Sequence, residues 1–446
     1  MRLSFTMKKA IHINIDRKYL FPLKLSVVRY KDKILVISVN TATWLVFDNE
    51  EQLRFFELLK ENTIRDAIKI FNGCDTDFVN VITQIEAKKF EDTHVIKSPE
   101  GDMHLYLTNN CNMHCPHCYM FAGTKLKDEL TTIEVKNLLK AYSEHGKIGL
   151  TISGGEATTR KDLLEIVEYA SSVGLKVQLL TNGYMLSDEF IDKLSPLLYR
   201  IQISIDGYSE EENSKVRNKG SFMSVLHSID RFVKNNVKTE IAITPYLDET
   251  LSSKTQKYAD FGKSLADKYK DYDFMVKYTT GLIDGRNTNL NDAKREFYRQ
   301  TMNEVTNLYY GRDVSNDSFI ASCKNKRIYD NCTYGRLSIS ANGDVYACSR
   351  VIGIKPYANV RTHSFDYIWK MSKKAEALSN ICNLAPCNTC DLMYICGGNC
   401  RIKYFPFFKN CDNFEKVPDV ISRKCDSSIK NSFYELMIKT NKKIYQ

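Results

Sequence analysis

Short apolar strands alternate with amphipathic helices between residue 103 and about residue 280. The six strand patterns are MHLYL (103–107), IGLTIS (148–153), VQLLT (177–181), RIQISID (200–206), EIAIT (240–244) and FMVKY (274–278). A chain that repeats such βα units folds into a parallel sheet, either open or closed into a partial barrel. Ligands of these sheets bind at the carboxyl ends of the strands. We therefore expect an α/β fold whose functional residues directly follow the strands.

The 14 cysteines are distributed unevenly along the 446 residues. Three lie between Cys111 and Cys118, ten lie from Cys323 onward, and residues 119–322 contain none. A reducing cytosol disfavours a disulfide framework, and clustered cysteines instead indicate metal sites at two separate places. The region from about residue 310 shows few long helical patterns before its end, so we expect bound metal to hold it together.

The overall composition is that of a soluble globular protein, with 43% hydrophobic and 26% charged residues. No stretch approaches the ~18 uninterrupted apolar residues that span a bilayer. Charged residues interrupt the N-terminal apolar run, which disfavours a secretory signal and makes a cytoplasmic protein the expectation. The formal charge of +9 is modest and no run of five like charges occurs. Neither nucleic acid nor a membrane is therefore an expected partner, whereas an acidic peptide is compatible with this charge.

The first cysteine group follows the first of the six strands directly. It consists of Cys111, Cys115 and Cys118, with Tyr119 next along the chain. Three thiolates around one centre leave one coordination position unfilled. A structural zinc site needs four ligands and would recruit His114 or His117. An iron–sulfur cluster held by three cysteines instead exposes one iron to a ligand at the strand end, where such sheets have their active sites.

This C-x3-C-x2-C spacing followed by an aromatic residue resembles the radical S-adenosylmethionine (SAM) superfamily. Later segments lie where that family has its motifs. Gly154-Gly155-Glu156 ends the second strand, although Ala157 replaces the usual proline, and Asn182 and Ser204 belong to the ends of the next two strands. The resemblance implies a 4Fe–4S cluster on the three cysteines. It also implies a SAM site formed by Tyr119, Gly154, Gly155, Glu156, Asn182, Ser204 and Arg217. Arg217 would pair with the methionyl carboxylate, as a guanidinium suits.

The resemblance also implies a reaction. The open iron would chelate SAM, and an electron from a donor such as flavodoxin or ferredoxin would break the sulfonium–C5′ bond. The resulting 5′-deoxyadenosyl radical takes a hydrogen atom from the substrate. The cofactor supplies this chemistry, while the protein supplies orientation, exclusion of water and the cluster potential.

The C-terminal cysteines resemble those of the SPASM extension, which carries auxiliary 4Fe–4S clusters. The pattern consists of C-x10-G-x4-C from Cys332 to Cys348, followed by C-x2-C-x5-C-x3-C from Cys387 to Cys400. The resemblance implies two clusters. One is held by Cys332, Cys348 and Cys400, with Cys323 as a possible fourth ligand. The other is held by Cys387, Cys390, Cys396 and Cys425, with Cys411 as the alternative last ligand. A zinc ribbon is the other interpretation. Cys74 and Cys382 have no assigned role, and we expect both to be buried inert thiols.

Residues 1–92 are predicted to form three strands followed by three helices, a winged-helix-like order. Ahead of a radical SAM core, this order resembles a PqqD-like module, which binds a leader peptide at an exposed sheet edge. A DNA-binding winged helix is the alternative, but the third helix carries Asp75, Asp77 and Glu86, which disfavours contact with phosphates. The predicted organisation is this module, a linker at 93–102, a partial (β/α)6 radical SAM barrel at 103–310 and a SPASM domain at 311–446.

The predicted function is radical maturation of a ribosomally synthesised peptide, with a thioether crosslink as the first choice of product. A carbon–carbon crosslink and epimerisation are alternatives, and epimerisation would need a thiol from Cys74, Cys382 or Cys411 as hydrogen donor. In sulfatase-maturating relatives an aspartate follows the cysteine equivalent to Cys348; here Ser349 occupies that position, which disfavours this function. No catalytic base is assigned. The non-enzymatic alternative is a zinc-stabilised binding or regulatory protein.

Overall fold

The computed structural model describes residues 2–3, 11–98 and 101–444, so parts of the predicted N-terminal module and linker lie outside the described residues. A short antiparallel pair precedes a three-stranded antiparallel sheet and three helices. These elements are β1 (Arg2–Leu3), β2 (Ile11–His12), β3 (Leu25–Tyr30), β4 (Lys33–Ser38), β5 (Thr43–Phe47), α1 (Glu50–Glu61), α2 (Ile64–Ile70) and α3 (Asp75–Ala87). Asn49 and Thr63 cap α1 and α2 through their side chains, which fixes where these helices begin.

The two faces of the small sheet bury different side chains, as its alternating strands require. Leu45 and Phe47 contact the helices α1–α3 on one face. Leu35, Ile37 and Trp44 contact the C-terminal part of the chain on the other face, where the Trp44 indole donates to the Met437 carbonyl. The N-terminal sheet is therefore held between its own helices and the end of the chain.

A buried lysine lies at this contact. Lys88 follows α3, and its ammonium donates to the Trp44 carbonyl at 2.7 Å and to the Asn441 side chain. Burial lowers the pKa of Lys88 from 10.5 to about 7, an effect that the nearby Cys323 opposes. The amino group of Lys88 is thus enclosed where α3 meets the C-terminal helix, and burial weakens its hold on a proton.

We expect the stability of this contact to depend on pH through Lys88. Between pH 7 and about 10.5 the unfolded chain binds a proton that the folded chain lacks, so the free energy of unfolding should rise with pH by at most about 1.4 kcal/mol per unit. Lys88→Met should remove this slope and stabilise the protein near pH 7. Thermal unfolding of wild type and variant between pH 7 and 9 measures the difference, and identical slopes would contradict the assignment.

The central part of the chain forms the predicted alternation of strands and helices. Its strands are β6 (Met103–Tyr106), β7 (Gly149–Ser153), β8 (Lys176–Thr181), β9 (Leu198–Ser204), β10 (Thr239–Ile243) and β11 (Phe274–Tyr278). Its helices are α4 (Thr132–Glu144), α5 (Leu163–Ser172), α6 (Asp188–Leu194), α7 (Glu210–Ser214), α8 (Ser221–Lys234), α9 (Thr255–Lys268) and α10 (Asp292–Tyr310). The six strands are parallel and adjacent in chain order, which confirms the predicted fold class. Thr131 and Glu134 form a capping box at the start of α4.

The C-terminal part of the chain extends the same sheet. Its elements are α11 (Val314–Lys324), β12 (Ser338–Ile339), β13 (Asp344–Tyr346), β14 (Ala358–Asn359), α12 (Phe365–Leu378), β15 (Leu384–Ala385), α13 (Met393–Cys396), α14 (Arg401–Tyr404), α15 (Pro406–Asn410), β16 (Ile421–Ser422) and α16 (Ser427–Ile444). Strand β12 pairs in parallel with β6, and β13 and β14 follow antiparallel, giving a nine-stranded sheet. Among the described residues, none of the helices combines the length and apolar character needed to cross a lipid bilayer.

One sequence-based expectation for this region is wrong. Few long helices were expected before the end of the chain, yet α12 has 14 residues and a buried face that includes Ile368, Met371 and Ala375. The helical spacing of these residues and the Ser364 cap were the available signal.

Candidate active site

The first cysteine loop leaves the carboxyl end of β6. Cys115 is buried and Cys111 and Cys118 are partly buried, packed with Met113 and Val216 in a small apolar cluster. Burial raises the pKa of the Cys111 thiol to about 11, and the charges of the two other cysteines contribute in the same direction. The fold therefore brings the three predicted ligands together at the edge of the sheet where the strands end.

Two glycines after β7 allow this loop to pack closely against the next one. A Cβ atom on Gly154 would lie 2.4 Å from the Thr108 carbonyl oxygen, and one on Gly155 would lie 2.3 Å from that of Asn110. The Gly155 amide donates to the Thr108 carbonyl at 2.7 Å. Glycine was expected here because of the approach of a ligand. The structure gives a further reason, since two backbone segments of the protein touch at this point.

Gly155→Ala tests this packing. The backbone of Gly155 does not need a positive φ, so the added methyl group acts only through its clash with the backbone carbonyls of Asn109 and Asn110. We expect a loss of about 1–3 kcal/mol of stability, as for other overpacked sites, and weaker SAM binding because the cysteine loop is displaced. Thermal unfolding and anaerobic equilibrium dialysis with SAM measure both effects. Gly281→Ala, with open space around its Cβ position, is the stability control.

The carboxylate of Glu156 joins the ends of β7 and β8. It is 2% exposed and accepts hydrogen bonds from the Thr158 amide, the Thr181 hydroxyl at 2.7 Å and the Asn182 amide at 2.6 Å. The Asn182 side chain in turn donates to the side chain of Asn112 in the cysteine loop at 2.7 Å. These two predicted SAM-site residues therefore also fix the cysteine loop relative to the sheet.

Arg217 lies next to the cysteine loop and is held by Asp206. Its Nε donates to the Asp206 carboxylate at 2.6 Å, and the same carboxylate accepts from the Thr244 amide at 2.9 Å. Burial disfavours the charge of Arg217, but Asp206 and Cys115 outweigh it and raise the pKa of the guanidinium. The cation is thus fixed beside the thiols. Ser204, the other predicted residue here, is the half-buried last residue of β9.

Tyr119 connects the first cysteine loop with the C-terminal cysteines. Its hydroxyl lies 3.2 Å from that of Tyr106, which donates to the Ser349 carbonyl. Burial raises the pKa of the Tyr119 phenol, and both Cys118 and Cys348 act on it in the same direction. Cys118 and Cys348 are separated by 230 positions in the chain, yet both act electrostatically on the phenol of Tyr119.

The C-terminal cysteines form two groups. Cys348 interacts electrostatically with Cys332 and Cys400, and burial raises its pKa to about 11. In the second group, Cys387 interacts with Cys390, Cys396 and Cys425. These are the two sets that the SPASM resemblance implies, with Cys425 beside the second set.

The remaining cysteines lie elsewhere. Cys323 is buried on α11 in the apolar cluster that contains Trp44, and its electrostatic neighbours include Lys88 and Lys326. Cys411 is buried in the main core. Cys74 and Cys382 are both exposed, so the expectation that they are buried is wrong. Cys74 lies directly before α3, and Cys382 is the middle residue of a short 3-10 turn at Ile381–Asn383; among the described residues, neither position is covered by a neighbouring element.

Several residues at the site escaped the sequence analysis. Asp206 fixes Arg217, Asn112 fixes Asn182, and Tyr106 contacts Tyr119. Arg286 closes over the cysteine loop from the segment after β11, where its amide donates to the Cys118 carbonyl and its guanidinium to the Cys115 and Ala122 carbonyls. The position of Asp206 directly after β9 was an available signal, whereas nothing in the local sequence marks Arg286.

The donor sets agree with iron–sulfur clusters. Sulfur ligands from cysteine suit such clusters, and each of the three groups offers at least three thiols. Among the described residues, no three Cys, His, Asp or Glu side chains are close enough to coordinate one and the same metal ion. Thiolates of a cluster bind different iron atoms, so they lie further apart than the ligands of a single ion.

Comparison with known proteins identifies two regions of the chain. Residues 105–256 match the radical SAM superfamily, and residues 331–391 match SPASM, an iron–sulfur cluster-binding domain. The mycofactocin maturase MftC of Mycolicibacterium smegmatis is 26% identical over 314 residues, which cover 67% of this chain and 77% of the maturase. The AdoMet-dependent heme synthase of Methanosarcina barkeri is 36% identical over 141 residues, which cover 31% of this chain and 40% of that protein.

Among solved structures, the fold is similar to that of Streptococcus suis SuiB bound to S-adenosylmethionine. The TM-score is 0.51 at 14% identity, and the match covers 87% of this chain and 96% of SuiB. These findings confirm the predicted fold, the enzymatic class and the two kinds of cofactor, iron–sulfur clusters and SAM. They do not support the alternative of a zinc-stabilised binding protein. The chain is thus an enzyme with a radical SAM domain at residues 105–256, followed by a SPASM iron–sulfur cluster-binding domain at residues 331–391.

Proposed function

We propose that this enzyme matures a ribosomally synthesised peptide by forming a thioether from a cysteine sulfur to a carbon. The observation that carries the proposal is the place of Tyr119, the residue after Cys118. Its hydroxyl lies 3.2 Å from that of Tyr106, which donates to the carbonyl of Ser349, the residue after Cys348. A substrate beside this tyrosine is within reach of both cysteine groups. The match to the maturase covers 67% of this chain, whereas the match to the heme synthase covers 31%. This longer similarity supports a peptide substrate.

Each predicted site residue except Cys323 has a role in this proposal. Cys111, Cys115 and Cys118 would hold the SAM-binding cluster, and Arg217, fixed by Asp206, would bind the SAM carboxylate. When bound, cluster and SAM would supply the abstraction of a hydrogen atom from a substrate carbon. As the sulfur–carbon bond forms, the thiol proton would leave to solvent and an auxiliary cluster would accept the remaining electron. The other SAM-site residues would be Tyr119, Gly154, Gly155, Glu156, Asn182 and Ser204. A flavodoxin- or ferredoxin-like protein would supply electrons.

Two auxiliary clusters would occupy the C-terminal groups. Cys332, Cys348 and Cys400 would hold the one nearer Tyr119, where the chain brings three thiols together and a substrate cysteine would provide the fourth. The other would take Cys387, Cys390, Cys396 and Cys425. Cys323 is not part of this proposal, because its neighbours are Lys88 and the apolar residues around Trp44.

The N-terminal part, residues 1–92, is proposed to bind the leader of the peptide along β3. The sheet order β3-β4-β5 leaves β3 at one edge. At the opposite edge Gln84 hydrogen bonds with both the amide and the carbonyl of Val46, so α3 already occupies it. Leu23 and Val27 are exposed at β3, which suits a peptide that adds as a further strand. The linker 93–102, the core 103–310 and the SPASM domain 311–446 complete the proposed organisation.

Mass analysis of a precursor peptide tests this function. The enzyme is co-expressed with a short cysteine-containing open reading frame adjacent to its gene, and the peptide is alkylated before analysis. A thioether gives the loss of two hydrogen atoms together with one cysteine that no longer reacts. A carbon–carbon crosslink gives the same mass loss with every cysteine still reactive, and epimerisation leaves the mass unchanged but incorporates solvent deuterium.

The recognition module has its own test. Deleting residues 1–92 should abolish modification of the full precursor while 5′-deoxyadenosine release continues. Because this part also packs against α11 and α16, Val27→Glu in full-length protein is the gentler variant, as it places a charge on the exposed edge. Full modification of the precursor by both variants would contradict leader binding along β3. A sulfatase-maturase-like enzyme that acts on a folded protein would leave the precursor unmodified.

A further inference from the structure

A cavity of about 780 Å³ opens beside the candidate active site. Its wall is formed by the segment after β11, the first turns of α10, the residue Arg350 and the end of α14. Arg350 lies two positions after Cys348, and Lys403 lies three positions after Cys400. The cavity is thus built partly by the segments that follow two cysteines of one auxiliary group.

One wall of the same cavity belongs to a segment that also contacts the first cysteine loop. The segment after β11 that lines it continues to Asn287, whose amide donates to the Pro116 carbonyl at 2.7 Å. The charge of Arg350 acts on the phenol of Tyr119, the residue after Cys118. The wall of the cavity therefore includes segments that contact or follow both cysteine groups, so a molecule bound there would lie near the place where the proposed function requires a substrate.

The side chains that line the cavity carry more positive than negative charge. Six lining side chains are charged, and they are Asp292, Arg295, Glu296, Arg299, Arg350 and Lys403. Arg295 pairs with Asp284 at 2.7 Å, and Arg299 pairs with Glu296 at 2.5 Å. Within the described parts of the chain, Arg350 and Lys403 form no ion pair, and the Lys403 ammonium lies 5.2 Å from the centre of the Tyr404 ring.

Two further acids bear on these two cations, Asp284 and Asp292. Asp284 is already paired with Arg295, although the charge of Arg350 also acts on its carboxylate. Asp292 lies in the first turn of α10, where the helix N-terminus already stabilises a carboxylate. Arg350 presents the planar guanidinium that binds carboxylates in bidentate fashion. Tyr404 adds an aromatic surface beside Lys403. The cavity thus offers two cations that form no ion pair with any described residue, together with an aromatic ring, on segments that follow auxiliary cysteines.

We propose that Arg350 and Lys403 bind a carboxylate of the substrate peptide and thereby position its reacting residue between the two cysteine groups. This rests on the proposed peptide substrate and specifies its chemistry, since the modified segment carries an acidic side chain or ends in its C-terminal carboxylate close to the reacting residue. Arg350 and Lys403 are specificity-determining residues in this proposal, and neither takes part in bond breaking.

Peptide capture by the immobilised, anaerobic holoenzyme tests the proposal. The probes are four synthetic pools of cysteine-containing dodecapeptides. Two pools contain Asp and Glu, and the other two contain Asn and Gln at the same positions. One pool of each pair has a free C-terminus and the other has an amidated C-terminus. We expect wild type to capture carboxylate-bearing pools at least about tenfold better than the fully amidated Asn/Gln pool. Preference for Asp and Glu in amidated peptides identifies a side chain, whereas preference for the free terminus among Asn/Gln peptides identifies the C-terminal carboxylate.

Variants of the two cations test whether the cavity causes the preference for carboxylate-bearing peptides. The double variant R350Q/K403Q should reduce it to within about twofold, and Arg350→Lys should retain part of it. K442Q/K443Q changes the net charge equally at exposed positions of α16 and should leave the preference unchanged. Iron content and circular dichroism verify that each variant is folded, and Lys403→Gln alone serves if Arg350 proves necessary for folding.

Equal capture of all pools by wild type, or an unchanged preference in the double variant, would overturn the inference. The mass analysis of the precursor is independent of this result. A modified precursor without carboxylate preference would overturn the inference alone, and carboxylate capture without any modified peptide would overturn the proposed function alone.

Discussion

Replacing Cys115 with alanine should abolish the release of 5′-deoxyadenosine from SAM. Cys115 is the most buried thiol of the first cysteine loop and lies beside Arg217. Loss of a residue that merely supports a metal ligand costs about 10- to 100-fold in affinity or activity, so loss of a ligand should cost at least about a hundredfold. Anaerobic incubation with SAM and dithionite, followed by chromatography, measures the product.

Cys74→Ala is the matched control, because Cys74 is exposed and lies before α3, far along the chain from the site. This control should release 5′-deoxyadenosine as wild type does. Electron paramagnetic resonance adds a second readout, since the signal of the reduced wild type should change when SAM is added and that of the Cys115 variant should not. Wild-type turnover by the Cys115 variant would refute the cluster assignment.

Replacing Cys348 with alanine should separate SAM cleavage from peptide modification. Cys348 belongs with Cys332 and Cys400 and comes from a different part of the chain than the first cysteine loop. We expect the variant to lose about four irons per chain, as one 4Fe–4S cluster contains. Release of 5′-deoxyadenosine should persist, while modification of the precursor should fall by at least about a hundredfold.

Iron and sulfide analysis with mass spectrometry of the co-expressed peptide measures both effects. Cys382→Ala removes an exposed thiol of the same region and should change neither quantity. Because bound metal is expected to stabilise the C-terminal region, circular dichroism must first show that the Cys348 variant remains folded. Normal iron content together with normal peptide modification would exclude an auxiliary cluster on Cys348.

The sequence predicted the six parallel strands to within about two residues, because each strand is a short local run of apolar residues between helical patterns. It also placed the glycines of the second strand end and Asn182 at one edge of the sheet, since parallel strands all end there. The helix α12 was missed, although its cap and apolar spacing are local signals.

Spacing alone did not decide among the late cysteines. Cys411 and Cys425 both follow Cys400 at permitted distances, and it is the fold that brings Cys425 beside Cys387. Cys323 precedes Cys332 at a permissible spacing, yet α11 turns its thiol toward Lys88. The direction in which a side chain leaves its helix, and the helix face that packs against the core, determine which thiols come close together. The spacing of cysteines in the sequence reports neither.

By itself the sequence determined the βα alternation, the cysteine loop after the first strand and the order of the motifs, because these depend on neighbours within a few positions. The tertiary structure decided which distant segments meet. Strand β12 pairs with β6 across more than 200 positions, which places Ser349 against Tyr106 and Cys348 near Tyr119. Such a pairing is selected by the burial of whole faces of the sheet, a quantity that no local pattern contains.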